Sequence, residues 1–103
     1  MKTIREAFHE EMINLYQRIK AESGYNATRF LQMVSERGGL EAAKTLLHNP
    51  QVSYGFEELW KRGRLDLTVE AVVLKEQWSQ LFSPNDIATA RKRLDELGYK
   101  PLE

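Results

Sequence analysis

The chain has no cysteine and only two histidines, and these shortages narrow the chemistry open to it. The absence of cysteine excludes disulfides, thiolate zinc sites, iron–sulfur clusters and cysteine nucleophiles. His9 and His48 belong to different predicted helices and lack the HExxH spacing of a metal-binding helix. We therefore predict no metal site and no bound cofactor.

Catalytic sequence motifs are also missing. The chain contains no GxSxG motif, no Walker A loop and no GxGxxG motif. Its adjacent carboxylates point about 100° apart on a helix and so do not converge on one proton or one metal ion. These pairs are Glu10-Glu11, Glu57-Glu58 and Asp95-Glu96. We predict no catalytic residues and a protein that is not an enzyme.

Long apolar runs are absent as well. No stretch approaches the roughly 18 apolar residues of a membrane span, and no signal-peptide pattern opens the chain. We expect no membrane association and a cytoplasmic location. The 103 residues, 42% hydrophobic and 29% charged, fit one globular domain over residues 1–103.

Net charge is zero, with 15 Lys and Arg residues against 15 Asp and Glu residues. The balance is local too, because no quarter of the chain departs from neutrality by more than one charge. A domain that binds DNA mainly through its phosphates usually carries a basic stripe or a high pI. The sequence pI of about 6.7 argues against strong nonspecific DNA binding.

The chain is rich in helix signals, beginning with its first residues. Thr3 and Glu6 are spaced as a capping box, and Gly24 suits the left-handed turn that ends many helices. Between them an apolar stripe recurs at helical period. Its members are Ile4, Phe8, Met12, Leu15 and Ile19. We predict a first helix over about residues 3–22.

Similar start and stop signals predict further helices. Asn26 is a predicted N-cap, Gly38-Gly39 a sharp joint, and Ser53 the cap of a short helix. Ser83 followed by Pro84 predicts the start of the last helix. No convincing strand is present. The sequence predicts an all-α bundle of five or six short helices.

One predicted helix, at about residues 68–80, is apolar on two sides. Val69, Val72 and Val73 line one side, and other apolar residues line the opposite one. A helix of this kind usually lies between neighbouring elements. We predict that it forms the centre of the core, with Thr68 or Asp66 at its start.

A second face of the first helix is a candidate partner surface. His9, Ile13, Tyr16 and Lys20 lie on one side, offset from the main stripe. Tyr is favoured at protein interfaces, and Ile13 has polar neighbours. These residues form either a docking face for a partner or a second copy, or simply a wider buried face.

A cluster of cations surrounds the turn at residues 61–64. Lys61, Arg62 and Arg64 are candidates to contact phosphate, nucleic acid or an acidic partner. The structural alternative has Arg62 covering carbonyls at a helix end and Arg64 pairing with Asp66 or Glu70. Two cations of the last helix join the candidate contacts. They are Lys92 and Arg93.

The Gly38-Gly39 pair invites comparison with the helix-hairpin-helix, whose glycine turn presents backbone amides to DNA phosphate. The hydrophobic residue that normally separates those glycines is missing. A sharp joint between two helices is the favoured interpretation.

Several of these residues form an ordered block of glycines and aromatics. It runs as Gly38-Gly39-Leu40-Glu41-Ala42-Ala43-Lys44, Leu46-Leu47, Gly55-Phe56, Leu59-Trp60 and Gly63-Arg64-Leu65-Asp66-Leu67-Thr68-Val69-Glu70. The block resembles a small, uncharacterised bacterial all-helical domain that occurs alone or fused to restriction-type nucleases of the HNH class. The resemblance covers residues 24–101 and leaves the first helix, residues 1–23, outside.

The resemblance implies association with DNA-processing or defence proteins, and it implies no catalytic residues. Nuclease activity does not carry over, because the chain has no His-Asn-His arrangement. We predict a noncatalytic interaction or adaptor module with a protein partner or self-association. The alternative is a nucleic-acid-binding module that uses the cations of the 61–64 turn and the last helix.

Overall fold

The computed structural model describes residues 1–99, and these residues form six α-helices and two short 3₁₀ segments. The helices are α1 (Ile4–Ser23), α2 (Thr28–Arg37), α3 (Gly39–His48), α4 (Tyr54–Lys61), α5 (Val69–Val73) and α6 (Pro84–Glu96). The 3₁₀ segments are Leu65–Leu67 and Glu76–Leu81. Residues 1–99 contain no strand, which confirms the all-α prediction. Residues 100–103, the end of the predicted domain and of the resembling block, lie outside the described residues.

Helix α1 begins and ends as its sequence predicts. Thr3 Oγ1 accepts a hydrogen bond from the Glu6 N–H at 3.1 Å, and the Glu6 carboxylate accepts one from the Thr3 N–H at 3.1 Å. Gly24 follows the helix with a φ of 77°. The buried side chains are those of the predicted stripe, namely Phe8, Met12, Leu15 and Ile19.

An aromatic cluster anchors α1 to the later part of the chain. The Phe8 ring meets Trp78 edge-to-face, with ring centroids 5.2 Å apart, and meets Phe82 at 5.4 Å. Such pairs contribute about 0.5–1.5 kcal/mol beyond the burial of their surface. The second 3₁₀ segment is therefore held on the core through its tryptophan.

The predicted single helix over residues 68–80 is wrong in its length. Helix α5 ends at Val73, and Lys75 adopts an extended backbone before the second 3₁₀ segment. Valine has a lower helix propensity than unbranched residues, and three of the five residues of α5 are valines. The break after α5 also lets the Trp78 side chain pack against Phe8. The predicted central position is confirmed, since all five residues of α5 are buried. Thr68 caps the helix, its Oγ1 accepting from the Ala71 N–H at 3.1 Å.

Asn26 is not the N-cap of α2, contrary to the prediction. Ala27 occupies that position without a side-chain cap. Asn26 instead accepts a hydrogen bond from the Tyr16 hydroxyl at 2.7 Å. The amide of Asn26 therefore fastens the α1–α2 loop to α1.

The Gly38-Gly39 joint brings α3 into direct contact with α1. A Cβ at Gly39 would lie 2.7 Å from the Cα of His9, so only glycine fits. The Gly39 N–H donates to His9 Nδ1 at 2.9 Å. The joint is the sharp turn favoured by the sequence, and His9 takes up the Gly39 amide within the fold.

None of the helices among residues 1–99 is long and apolar enough to cross a membrane.

Candidate functional site

Arg64, one of the predicted phosphate contacts, is held by two carboxylates. Its Nη2 lies 2.6 Å from Glu22 and 3.0 Å from Asp66, and its Nε donates to Asp66 at 3.0 Å. These hydrogen bonds hold the pKa of the Asp66 carboxyl below its usual value. The pairing with Asp66 is the structural alternative that the sequence offered, whereas the pairing with Glu70 does not occur.

Arg62 and Lys61 occupy the outer side of the same turn. Arg62 Nη1 donates to the Ser23 carbonyl at 2.8 Å, so it covers the end of α1 rather than that of its own helix. Its guanidinium also lies 5.6 Å from the centroid of the Tyr25 ring. The Lys61 ammonium is exposed and 3.8 Å from Glu58.

Arg93, one of the predicted phosphate or nucleic-acid contacts, does not lie on the surface of the last helix. Arg93 is buried, and its Nη1 donates to Glu70 Oε2 and to the Leu46 carbonyl, each at 3.1 Å. Its Nη2 donates to the Asn49 carbonyl, so one side chain binds two carbonyls at the end of α3. Burial raises the pKa of Glu70 despite the bond from Arg93.

A sequence signal for this burial exists. Arg93 follows Ala90 by three residues and precedes Leu97 by four, which places it in the apolar register of α6. Its partner carries a weaker signal, because Glu70 stands within the apolar run of α5. Each position is charged and is surrounded by core residues. An ion pair between them can be predicted only when α5 and α6 are known to be adjacent.

Lys92 borders a wide polar cleft of about 760 Å³ between the end of α3 and the start of α6. His48 Nε2 lies 2.7 Å from the buried carboxylate of Asp86 at this cleft. Burial acts to raise the pKa of Asp86, but the bonds from Ser83 and His48 outweigh it and hold that pKa below its usual value. In the Ser83–Asp86 capping box, the Asp86 carboxylate accepts a hydrogen bond from the Ser83 backbone N–H at the start of α6. Lys92 itself is exposed and has no acidic partner within the described part of the chain.

The predicted partner face on α1 is largely used inside the fold. His9 is bonded to Gly39, Tyr16 is bonded to Asn26, and Ile13 packs against the core. Only Lys20 is exposed. Three of the four residues are half-buried and in contact with other parts of the fold, as the alternative of a wider buried face predicts, and docking of a partner on this face stays a prediction.

Sequence reasoning missed an apolar pocket that opens between α2 and α4. It has a volume of about 220 Å³ and draws its wall from elements spread over the chain. We call it the Tyr25 pocket. Its principal apolar and aromatic members are Tyr25, Phe30, Met33, Leu46, Tyr54 and Leu59. No single periodic stripe could indicate it, because these residues meet only when the loops and helices pack together.

The wall of the Tyr25 pocket combines aromatic rings with few polar groups. The Tyr25 and Tyr54 rings pack at 6.1 Å between centroids, and 65% of the accessible surface of Tyr54 is exposed. Burial raises the pKa of the Tyr25 hydroxyl, so it remains protonated and able to donate. Two charged residues line the pocket, Arg29 and Glu70. Arg29 is exposed, whereas Glu70 is buried beside Arg93.

The described residues offer no constellation for metal binding. Within residues 1–99, no three His, Asp or Glu side chains are grouped so that they hold a metal ion. Comparisons with protein-family models, with curated proteins and with solved structures give no match to this chain. The resemblance over residues 24–101 therefore stays an expectation.

Proposed function

We propose that this chain is a noncatalytic interaction module that binds one apolar side chain of a partner protein in the Tyr25 pocket. The observation that carries the proposal is the pocket itself, an open apolar cavity of about 220 Å³. A cavity of about 150 Å³ holds a benzene molecule. The pocket therefore has room for a leucine or phenylalanine side chain.

The polar groups around the pocket favour binding over chemistry. Ser53 Oγ accepts a hydrogen bond from the Phe56 N–H at 3.1 Å, and Thr68 Oγ1 donates to the Leu65 carbonyl at 2.7 Å. Thr68 Oγ1 also accepts from the Ala71 N–H at 3.1 Å, so both hydroxyls are bonded to backbone groups at helix starts. The Glu70 carboxylate is bonded to Arg93 at 3.1 Å. This arrangement supports a docking role and provides no activated nucleophile.

Burial of one such side chain provides an anchor of useful strength. Full burial of a leucine or phenylalanine side chain contributes about 1.5–3 kcal/mol. Interfaces commonly depend on a few anchors of this kind set in pockets. The resemblance of residues 24–101 would place the partner among bacterial DNA-processing or defence proteins.

Gly55 provides a direct test. A Cβ at this position would lie 3.7 Å from the Tyr25 ring, in ordinary contact. Gly55→Leu therefore adds a branched side chain to the pocket wall. A random peptide library displayed on phage should yield peptides that bind the wild-type chain and lose at least about tenfold in affinity for Gly55→Leu, as expected when an anchor is displaced.

The matched control is Gln32→Leu, which adds the same side chain to an exposed position of α2 outside the pocket. It should bind the selected peptides as the wild type does, and circular dichroism should show both variants folded. Failure to select any peptide that the Gly55→Leu change weakens would overturn the proposed function.

A further inference from the structure

The exposed charge at the mouth of the Tyr25 pocket is positive. Of the two charged residues that line the pocket, Glu70 is buried and neutralised by Arg93 at 3.1 Å. Arg29 is exposed and has no acidic partner among residues 1–99. An apolar cavity with one unpaired guanidinium at its opening is complementary to an apolar group that carries a carboxylate beside it.

The neighbouring polar side chains are two tyrosines. Tyr25 and Tyr54 both line the pocket, and their hydroxyls have no hydrogen-bond partner among residues 1–99. The Arg62 guanidinium lies 5.6 Å from the Tyr25 ring centroid, but it is bonded to the Ser23 carbonyl at 2.8 Å and lies 3.5 Å from Glu58. Among the residues that line the pocket, Arg29 therefore carries the one exposed charge, while the carboxylate of Glu70 is buried.

The apolar interior also determines the orientation of a ligand. An anion deep in the pocket would lose its hydration among mainly apolar side chains, and the Glu70 carboxylate there is already paired with Arg93. An anion at the mouth meets Arg29 instead. The apolar group therefore points inward, and the carboxylate stays at the rim.

We propose that the partner segment carries an aspartate or glutamate next to its apolar anchor, and that Arg29 binds this carboxylate at the mouth of the pocket. This inference rests on the proposed function, because it names the chemistry of the same partner. It assigns Arg29 as a specificity residue and leaves the apolar anchor as the main source of affinity.

Arg37 is a matched control for Arg29. Both arginines lie on α2, both are exposed, and neither has an acidic partner among the described residues, but only Arg29 lines the pocket. We would select peptides from the random library against the wild type, Arg29→Gln and Arg37→Gln. Peptides selected on the wild type and on Arg37→Gln should be enriched in Asp or Glu adjacent to an apolar residue, and those selected on Arg29→Gln should not.

A titration then measures the size of the effect. A selected peptide and its counterpart with the acidic residue changed to the amide should differ by about two- to fivefold in Kd, as expected for one exposed ion pair. The difference should shrink at about 1 M salt, where charges are screened within about 3 Å. Arg29→Gln should abolish the difference, and Arg29→Lys should retain part of it.

The outcomes separate this inference from the proposed function. Peptides that compete for the pocket but show no acidic preference, or an acid-to-amide difference that survives Arg29→Gln, would overturn the role of Arg29 and leave the docking function standing. A library that yields no pocket-dependent binder overturns the docking function, and the role of Arg29 falls with it.

Discussion

At the scale of single residues, Arg93 has a structural role that its charge conceals. It neutralises buried Glu70 and donates to the carbonyls of Leu46 and Asn49, so it joins α3, α5 and α6 at one point. Removing one member of a buried ion pair leaves the other without compensation and costs about 3–5 kcal/mol. The stability of the fold should therefore depend on this guanidinium far more than on the exposed cations nearby.

We expect Arg93→Met to lower the free energy of unfolding by about 3–5 kcal/mol at about pH 7. Part of this loss should be recovered at about pH 5, because a raised pKa lets the folded state protonate Glu70 more readily than the unfolded chain does. Urea unfolding at both pH values measures the effect. The control is Arg91→Met, at an exposed position of the same helix.

A second change tests the charge directly. Adding Glu70→Leu to Arg93→Met removes the uncompensated carboxylate, and it should restore part of the lost stability and remove its pH dependence. The two carbonyls of α3 remain without their donor, so recovery should be incomplete. If Arg93→Met proves as stable as Arg91→Met at neutral pH, the buried pair has no such role.

Asp86 gives a pH dependence of the opposite sign. Its pKa is lowered in the folded state, so its contribution to stability is present above the unfolded value of about 3.9 and is lost as the pH falls through the folded value. Asp86→Asn should cost about 1 kcal/mol at neutral pH, the difference between charged and neutral hydrogen bonds.

The difference between the wild type and Asp86→Asn should shrink as the pH falls below the unfolded value of about 3.9 and should vanish below the lowered pKa of the folded state. Thermal unfolding across the acid range measures it. Asp95→Asn, an exposed carboxylate on the same helix, should change stability by less than about 0.5 kcal/mol at any pH. A constant gap for Asp86→Asn over the whole range would argue against its charge as the cause.

At the scale of elements, two glycines near helix starts should respond in opposite ways to alanine. At Gly39 of α3, a Cβ would lie 2.7 Å from the backbone of His9, and α1 and α3 would have to separate. At Gly55 of α4, the nearest atoms lie 3.7 Å away or farther. We expect Gly39→Ala to destabilise the protein by about 1–3 kcal/mol and Gly55→Ala to stabilise it by up to about 1 kcal/mol.

Urea unfolding measures the free energy of unfolding of the two alanine variants. Each variant is the control for the other, because both replace a helical glycine with alanine and so change the helix propensity in the same way. Equal effects would mean that α1 and α3 do not touch at His9. Because Gly55→Ala also narrows the Tyr25 pocket, it should combine higher stability with weaker peptide binding.

The helix starts show which features of the fold can be predicted from the sequence. Thr3, Ser53 and Ser83 each accept the hydrogen bond that their cap positions predict, because capping is a local interaction. Asn26 has the same chemistry but binds Tyr16, because a tertiary partner is available to it. The break after Val73 was missed for a similar reason, since the packing of Trp78 on Phe8 accompanies it.

The candidate site depends on nonlocal contacts to a greater degree. The Tyr25 pocket gathers residues from the α1–α2 loop, α2, α3 and α4, and no spacing in the sequence relates them. The register of α6 indicates that Arg93 is buried, whereas Glu70 carries a weaker signal and the pairing of the two depends on the packing of α5 against α6. The sequence therefore predicts the elements well and the surface that they build together poorly.

At the scale of the whole molecule, three of the five cations predicted to contact nucleic acid are bonded to other groups of the chain. Arg62, Arg64 and Arg93 are each engaged with carboxylates or backbone carbonyls of the chain itself. Among the five cations predicted to contact nucleic acid, Lys61, Arg62 and Lys92 are exposed, although Arg62 is bonded to the Ser23 carbonyl. Nucleic-acid binding thus stays a prediction with three of its five proposed contacts exposed.

We expect fluorescence anisotropy of labelled duplex and single-stranded DNA to remain flat when this protein is added at about 50 mM salt, where counterion release still favours nonspecific binders. The measurement should give the same result for Lys61→Gln and Lys92→Gln. Binding that weakens steeply with salt, with a smaller slope in either variant, would favour the nucleic-acid-binding alternative.

The burial of α1 has a consequence for how the chain can be divided. This helix contributes Phe8 to the aromatic cluster and His9 to the start of α3, although residues 1–23 fall outside the resembling block. Isolated helices are marginal in water, so we expect α1 to lose its helical structure when it is cut from the chain. Because α1 supplies part of the core, we expect the two pieces on either side of Gly24 to fold only when they are mixed, as a split protein that reports when both halves are in the same place.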